Sequence, residues 1–226
     1  MQSLRLPQVS ESDADLEKKA AAEAAAELVT EDMTLGLGTG STVAHLLPAI
    51  AARELGGLRC VATSVATEEQ ARELGIPVEE FGAQERLDLA IDGADQIAPD
   101  RWLVKGGGGA HTREKIVAAA AERFVVIADS SKTVERITGP IPLELQAFGL
   151  ASTLRRLRRG VGPVELRDAP RSPDDGVIAD YLGDVDDPLE LATRLAVVPG
   201  VVDHGLFPGR IVSEVLIGRG DRAERL

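Results

Sequence analysis

Apolar runs at Met33–Leu37, Leu58–Ala62, Leu87–Ile91 and Phe124–Ala128 each break off on a glycine or polar turn, and helical periodicity fills most of the intervals between them. This alternation narrows the fold more than any other feature. Parallel strands need a crossover, usually a helix, so strand-helix alternation predicts a parallel sheet covered by helices. The expected helices are Asp13–Val29, Val43–Leu55 with Pro48 inside it, Glu68–Leu74, and one capped by Thr112 that runs to Ala121. Ile76–Val78 begins a further short strand, and residues 1 to 12 are expected to fray.

The texture changes at Pro140. Ile141–Leu145, Leu150–Arg159, Pro163–Arg167, Val177–Leu182, Pro188–Val197 and Val201–Phe207 read as β-α-β-β-α-β, the split βαβ pattern. The expected class is therefore α/β: a Rossmann-like parallel-sheet main domain at 1–140 plus 208–226, and a smaller ferredoxin-like α+β domain at 141–207. Ile211–Ile217 is expected to return to the main sheet.

Ligands of such sheets collect at the carboxyl ends of the strands. The chemistry-bearing residues of this chain fall there. Gly36-Leu-Gly-Thr-Gly-Ser-Thr42 follows one strand and precedes a helix, which makes an anion cradle from exposed N–H groups and the helix dipole. It lacks the third glycine position and the downstream acid of a dinucleotide site, and it lacks the Gly-Lys of a P-loop. Backbone amides with hydroxyl side chains suit a sugar phosphate better. Asp92-Gly93-Ala94-Asp95 places two carboxylates at another strand end. Lys105 ends the strand Trp102–Val104 and opens the glycine run 106–109, with Glu114 in the first turn of the next helix. Each element has an ordinary explanation in turns and linkers. A strand ending in Lys, a glycine loop and a helix carrying a carboxylate together make a site.

Composition sets the limits. A net charge of −12 with 3% aromatics argues against nucleic acid as a partner. Charges interrupt the apolar runs before bilayer length, and no signal-peptide pattern opens the chain, so a cytoplasmic protein with no membrane partner is expected. Cys60 is the only cysteine, and His45, His111 and His204 lack metal-ligand spacing, so no metal site is expected. Five of the 25 Lys and Arg residues are lysines, so Lys105 and Lys132 at strand ends suggest a need for a compact ammonium.

The chain resembles the type A ribose-5-phosphate isomerases. The likeness rests on GLGTGST (36–42), TSVAT (63–67), DGAD (92–95), KGGGGAHTREK (105–115), DSSK (129–132), PIPLEL (140–145) and PGVVDHGLF (199–207), in the family's order over nearly the whole length. The resemblance implies interconversion of ribose 5-phosphate and ribulose 5-phosphate in the non-oxidative pentose phosphate pathway. It implies no cofactor or metal, and a homodimer or homotetramer. Glu114 would then be the base between C2 and C1. Asp92 and Asp95 would bind sugar hydroxyls and assist ring opening, and Lys105 with the glycine amides would stabilise the enediolate. Substrate contacts would come from Lys18, Thr39, Gly40, Ser41, Thr42, Gly93, Ala94, Gly106, Gly107, Gly108 and Lys132. Gln96 and His111 depart from the family pattern, and His111 could alter the titration of Glu114. A helix N-terminus and Lys105 are expected to depress the Glu114 pKa and make it a weaker base, unless substrate binding expels water and raises it. Amino-sugar-phosphate deaminases, phosphogluconolactonases and non-enzymatic sugar-phosphate sensors are the competing classes.

Overall fold

The structure is a computed structural model that describes residues 11–82 and 86–226. Most of the stretch expected to fray, residues 1–10, lies outside the described residues. In chain order the elements are α1 (Glu11–Ala26), β1 (Thr34–Leu37), α2 (Ser41–Ala51), β2 (Arg59–Ala62), α3 (Val65–Glu73), β3 (Leu87–Asp92), β4 (Gln96–Ile97), β5 (Leu103–Val104), α4 (His111–Ala120) and β6 (Ala121–Asp129). They continue with β7 (Ile141–Leu145), α5 (Leu150–Gly160), β8 (Val164–Leu166), β9 (Val177–Tyr181), α6 (Pro188–Ala196), β10 (Val201–His204), β11 (Leu206–Phe207), β12 (Glu214–Arg219) and β13 (Arg222–Arg225). No described helix is long and apolar enough to cross a membrane.

Six of these strands form the main sheet in the order β13-β12-β6-β3-β1-β2, parallel except for the hairpin strand β13 at its edge. Both faces are covered. On β6, Val125 and Ile127 point into the core built with α1 and α2, while Phe124, Val126 and Ala128 point into the core built with α4. Full burial of such side chains contributes about 1.5–3 kcal/mol each, so the two apolar faces hold the sheet. Alanines 21, 22, 25 and 26 let α1 lie close to its neighbours, and Arg53 closes its end by donating to the carbonyls of Ala26 and Val29.

The second sheet has the order β10-β7-β9-β8 and is antiparallel throughout, the ferredoxin-like arrangement expected from the β-α-β-β-α-β order. The architecture is thus α/β with a smaller α+β unit. A third sheet, β11-β5-β4, was not legible in sequence; it lies between them, with Leu103 and Phe207 in the α4 core and Val104 and Leu206 in that of the small sheet.

Two expectations need correction. The run Val201–Phe207 is not one strand: β10 belongs to the four-stranded sheet and β11 pairs with β5. Gly205 makes the break, donating to Pro142 O at 2.7 Å and accepting from Lys105 N at 2.9 Å, where a Cβ would overlap the Lys105 carbonyl. Ile76–Val78 likewise makes a single bridge, Val78 to Cys60, because Pro77 has no N–H to continue a ladder.

Candidate active site

The order β2-β1-β3 means that the chain leaves β1 in one direction across the sheet and returns on the other side of it. Loops after β1 and β3 diverge at such a switch point and leave a crevice. Here they are tied at its floor. Gly38 N donates to Ile91 O (2.9 Å), and Thr39 N donates to Asp92 Oδ1 (3.0 Å). Gly38 has to be glycine, since any Cβ would overlap the Asp92 carboxyl. The hydroxyls of Thr39 and Thr63 are 2.8 Å apart, and Thr67 donates to Gly38 O, so the TSVAT segment buttresses the loop.

Lys105 enters this crevice from β5. Its Nζ lies 2.9 Å from Asp92 Oδ2 and 3.2 Å from Glu114 Oε2, and it donates to Gly93 O at 2.6 Å. All three charged side chains are buried, at 2% exposure for Lys105 and 4% for each carboxylate. The Phe207 ring lies 5.6 Å from the ammonium. Of the three contacts, the one to Glu114 is the loosest: Glu114 Oε2 makes no hydrogen bond among the described residues.

Burial controls the titration of the cluster. It pushes Glu114 up to about 8, against the pull of Lys105 and with the repulsion of Asp92 and Asp95 added. Burial also raises Asp92, against the Lys105 ammonium and the N–H groups of Thr39 and Gly93, which favour its ionised form. For Lys105, burial alone would lower the value; the two carboxylates outweigh it and raise it to about 12. The expected depression of Glu114 by the helix N-terminus and Lys105 is thus corrected: burial within the fold already raises it before any substrate binds. His111 does not enter the balance: burial drops it to about 4, so the ring is neutral at physiological pH.

Glu114 owes its place to the turn before it. Gly109 N closes a turn onto Gly106 O (3.0 Å), and Glu114 N bonds to Ala110 O in the first turn of α4. The helix begins at His111 with Ala110 as its N-cap and no side-chain cap, so Thr112 is not the cap. Its hydroxyl instead donates to Glu144 Oε2 at 2.5 Å, and Glu144 also accepts from Ser172 at 2.5 Å. Arg113 pairs with Asp174 through two bonds of 2.8 and 2.6 Å. The helix carrying Glu114 is thus clamped to the four-stranded sheet.

A cavity of about 130 Å³ is lined by Thr39, Gly40, Ser41, Thr42, Gly93, Ala94, Asp95, Lys105, Gly106, Gly107, Gly108 and Glu114. Asp92 lies behind it, in contact with Lys105. Lys18 and Lys132 do not line it; they sit on α1 and on the short turn Ser130–Lys132, which Glu17 joins by accepting from Ser130 N at 2.8 Å. Among the described residues, no group of three or more His, Cys, Asp or Glu side chains is arranged to hold a metal ion. Sequence reasoning passed over Glu144 and Arg167, which touch α4 and the glycine loop from the other sheet. No local signal marks them, because their partners lie 32 and 61 residues away.

Comparison with known proteins gives the family. Residues 59–222 match the family described as ribose 5-phosphate isomerase A (phosphoriboisomerase A). A ribose-5-phosphate isomerase A of Roseiflexus sp. (strain RS-1) is 46% identical over 218 residues, covering 91% of this chain and 94% of that protein. The crystal structure of ribose 5 phosphate isomerase A from Neisseria gonorrhoeae superposes with a TM-score of 0.89 at 34% identity, over 94% of this chain and 96% of that one. A D-ribose-5-phosphate isomerase solved in complex with phospho-erythronic acid gives 0.85 at 31% identity, over 92% and 96%. With its crevice, its buried carboxylate-ammonium cluster and this likeness over nearly its full length, the chain belongs to the ribose 5-phosphate isomerase A family.

Proposed function

We propose that Glu114 moves the proton between C2 and C1 as D-ribose 5-phosphate and D-ribulose 5-phosphate interconvert through an enediolate, without cofactor or metal. The chain is a ribose-5-phosphate isomerase, an aldose-ketose isomerase. The observation that carries the assignment of roles is the contact of Glu114, Lys105 and Asp92, buried together at one cavity. Abstracting a proton α to a carbonyl needs a base whose pKa lies near the working pH, and burial sets Glu114 at about 8. It also needs fixed positive charge where the oxygen becomes negative. Lys105 at about 12 stays an ammonium throughout, so it stabilises charge and leaves proton transfer to Glu114.

In this reading the phosphate lies on the first turn of α2, where the N–H groups of Gly40, Ser41 and Thr42 have no acceptor among the described residues and Thr39 adds a hydroxyl. Lys18 and Lys132 supply further charge toward it. Asp95 with the Gly93-Ala94 backbone holds sugar hydroxyls, and Asp92 holds Lys105 while assisting ring opening. The phospho-erythronic acid bound by the 31% identical relative is a phosphorylated acid with a planar carboxylate, the shape and charge that such a cluster would favour.

We also propose that residues 1–140 with 208–226 form the catalytic domain and 141–207 the smaller one, and that the enzyme is a cytoplasmic homodimer or homotetramer. Exposed Phe148 and Val197, at 94% and 73%, favour the smaller unit as the contact region.

The test is conversion of ribose 5-phosphate to ribulose 5-phosphate in the presence of chelator, with glucosamine 6-phosphate as the competing substrate. Glu114→Gln should keep fold and substrate binding and lose about 10²–10⁴-fold in kcat. Near-normal kcat would remove Glu114 from the base role, and turnover only of the amino sugar would replace the reaction.

A further inference from the structure

Arg167 follows β8 in the four-stranded sheet and reaches under the glycine loop of the other unit. One edge of its guanidinium is fixed by Asp180 of β9, with Nε to Oδ2 at 2.9 Å and Nη2 to Oδ1 at 2.5 Å. From the remaining edge, Nη1 donates to both Gly106 O and Gly107 O, each at 3.0 Å.

Those two carbonyls belong to consecutive peptide groups, and a trans peptide points its N–H away from its C=O. With the Gly106 carbonyl on Arg167, the N–H of the same peptide points the opposite way, and there Gly107 N donates to Asp95 Oδ2 at 2.8 Å. With the Gly107 carbonyl on Arg167, the N–H of Gly108 is turned away likewise. It has no acceptor among the described residues, and Gly108 lines the cavity beside Lys105. A glycine run has no side chains to fix its peptide planes, so the orientation must come from outside the loop. Gly106 O also accepts from Gly109 N, so both of its lone pairs are used.

We propose that Arg167, held by Asp180, is a positioning residue for catalysis: it fixes two peptide planes so that Gly108 N–H faces the developing enediolate oxygen and Gly107 N–H holds Asp95. The proposal rests on the placement of the sugar between Lys105 and Glu114. Arginine is required because a planar fork can bind a carboxylate on one edge and two carbonyls on the other, which a single ammonium cannot do.

The test uses Arg167→Ala and Arg167→Lys in the full chain, with kcat, KM, the thermal midpoint, and calorimetric binding of phospho-erythronate. Losing one oriented donor to a developing oxyanion costs about 10²–10³-fold when the donor itself is removed; here the donor is only released, so kcat should fall about 10- to 100-fold with little change in KM. Added guanidinium ion should restore part of the kcat of Arg167→Ala. Should that variant not fold, Arg167→Lys keeps the charge and reads the same split. Wild-type kcat in either folded variant overturns the proposal, as does a loss that follows the thermal midpoint and does not respond to guanidinium. The carboxylate of the analogue does not enolise, so its binding does not call on the base, and in a Glu114→Gln background Arg167→Ala should still weaken that binding about tenfold. Weakened binding there with full turnover in Glu114→Gln would sink the base assignment alone; unchanged binding would sink the role of Arg167 alone.

Discussion

Lys105 Nζ and Glu114 Oε2 face each other at 3.2 Å, both buried, and among the described residues the carboxylate oxygen has no other partner. The ammonium already donates to Gly93 O and meets Asp92, so the Glu114 contact is the one a substrate oxygen would displace. In the proposed mechanism, that displacement would free the carboxylate from its cation as it takes the proton.

The free enzyme should therefore show kcat/KM rising with pH through about 8, because the base must be ionised before substrate binds. A plateau reached already near pH 5 would mean that Lys105 outweighs burial. The rise should be absent from the residual activity of Glu114→Gln.

The same shift has a stability consequence of opposite sense. Glu114 is an acid whose folded value, about 8, lies above its ordinary 4.5, so between those values the folded state keeps a proton that the unfolded state releases. Stability contributed by this group is present below about 4.5 and lost as pH rises through 8. Glutamine cannot ionise, so Glu114→Gln should be more stable than the parent above pH 8, by on the order of a few kcal/mol. Denaturant titrations at pH 5 and 9 should show the gain growing with pH; a constant difference would contradict it.

Gly38→Ala tests the floor of the crevice. The added methyl group would overlap the Asp92 carboxyl, which cannot move without breaking its bonds to Thr39 N, Gly93 N and Lys105. Overpacking of this kind costs about 1–3 kcal/mol. Because the displaced group positions Lys105, kcat should drop by more than the stability loss suggests. Full activity with unchanged stability would show that the two loops are not locked as described.

Glu144 offers a test from the other sheet. It is a buried carboxylate that accepts from Thr112 and Ser172, and Gly176 packs against it too closely for any Cβ. Glu144→Ala would leave two hydroxyls unpaired and loosen the first turn of α4, at about 2–4 kcal/mol by chemical denaturation. Glu144→Gln, which keeps one acceptor, should lose less.

These contacts show what could be read from the chain and what could not. The parallel sheet, the ferredoxin-like unit and the convergence of GLGTGST, DGAD and KGGGG were legible, because strand period and turn chemistry are local signals. The break at Gly205 was not, because it is forced by the Lys105 carbonyl, 100 residues earlier in the numbering. Thr112 had the right identity for a cap but a stronger partner in Glu144. The Glu114 pKa needed the degree of burial, which no spacing in sequence supplies.

His111 is fully buried beside Gly106, and among the described residues neither ring nitrogen has a hydrogen-bond partner of good geometry. Burial, partly offset by Asp203, lowers its value from 6.5 to about 4. The unfolded chain thus takes up a proton between those values that the folded chain refuses, so stability is fully present above about 6.5 and declines as pH falls toward 4. His204, also lowered to about 4, adds to the same decline. His111→Leu removes one of the two refusals and two unpaired buried polar atoms. It should raise stability by about 1–3 kcal/mol at neutral pH and more at pH 5, as read by thermal unfolding across that range. Since the parent ring is already neutral, the pH profile of kcat/KM should stay where Glu114 sets it. A profile displaced in His111→Leu would mean that the imidazole carries charge in the working enzyme.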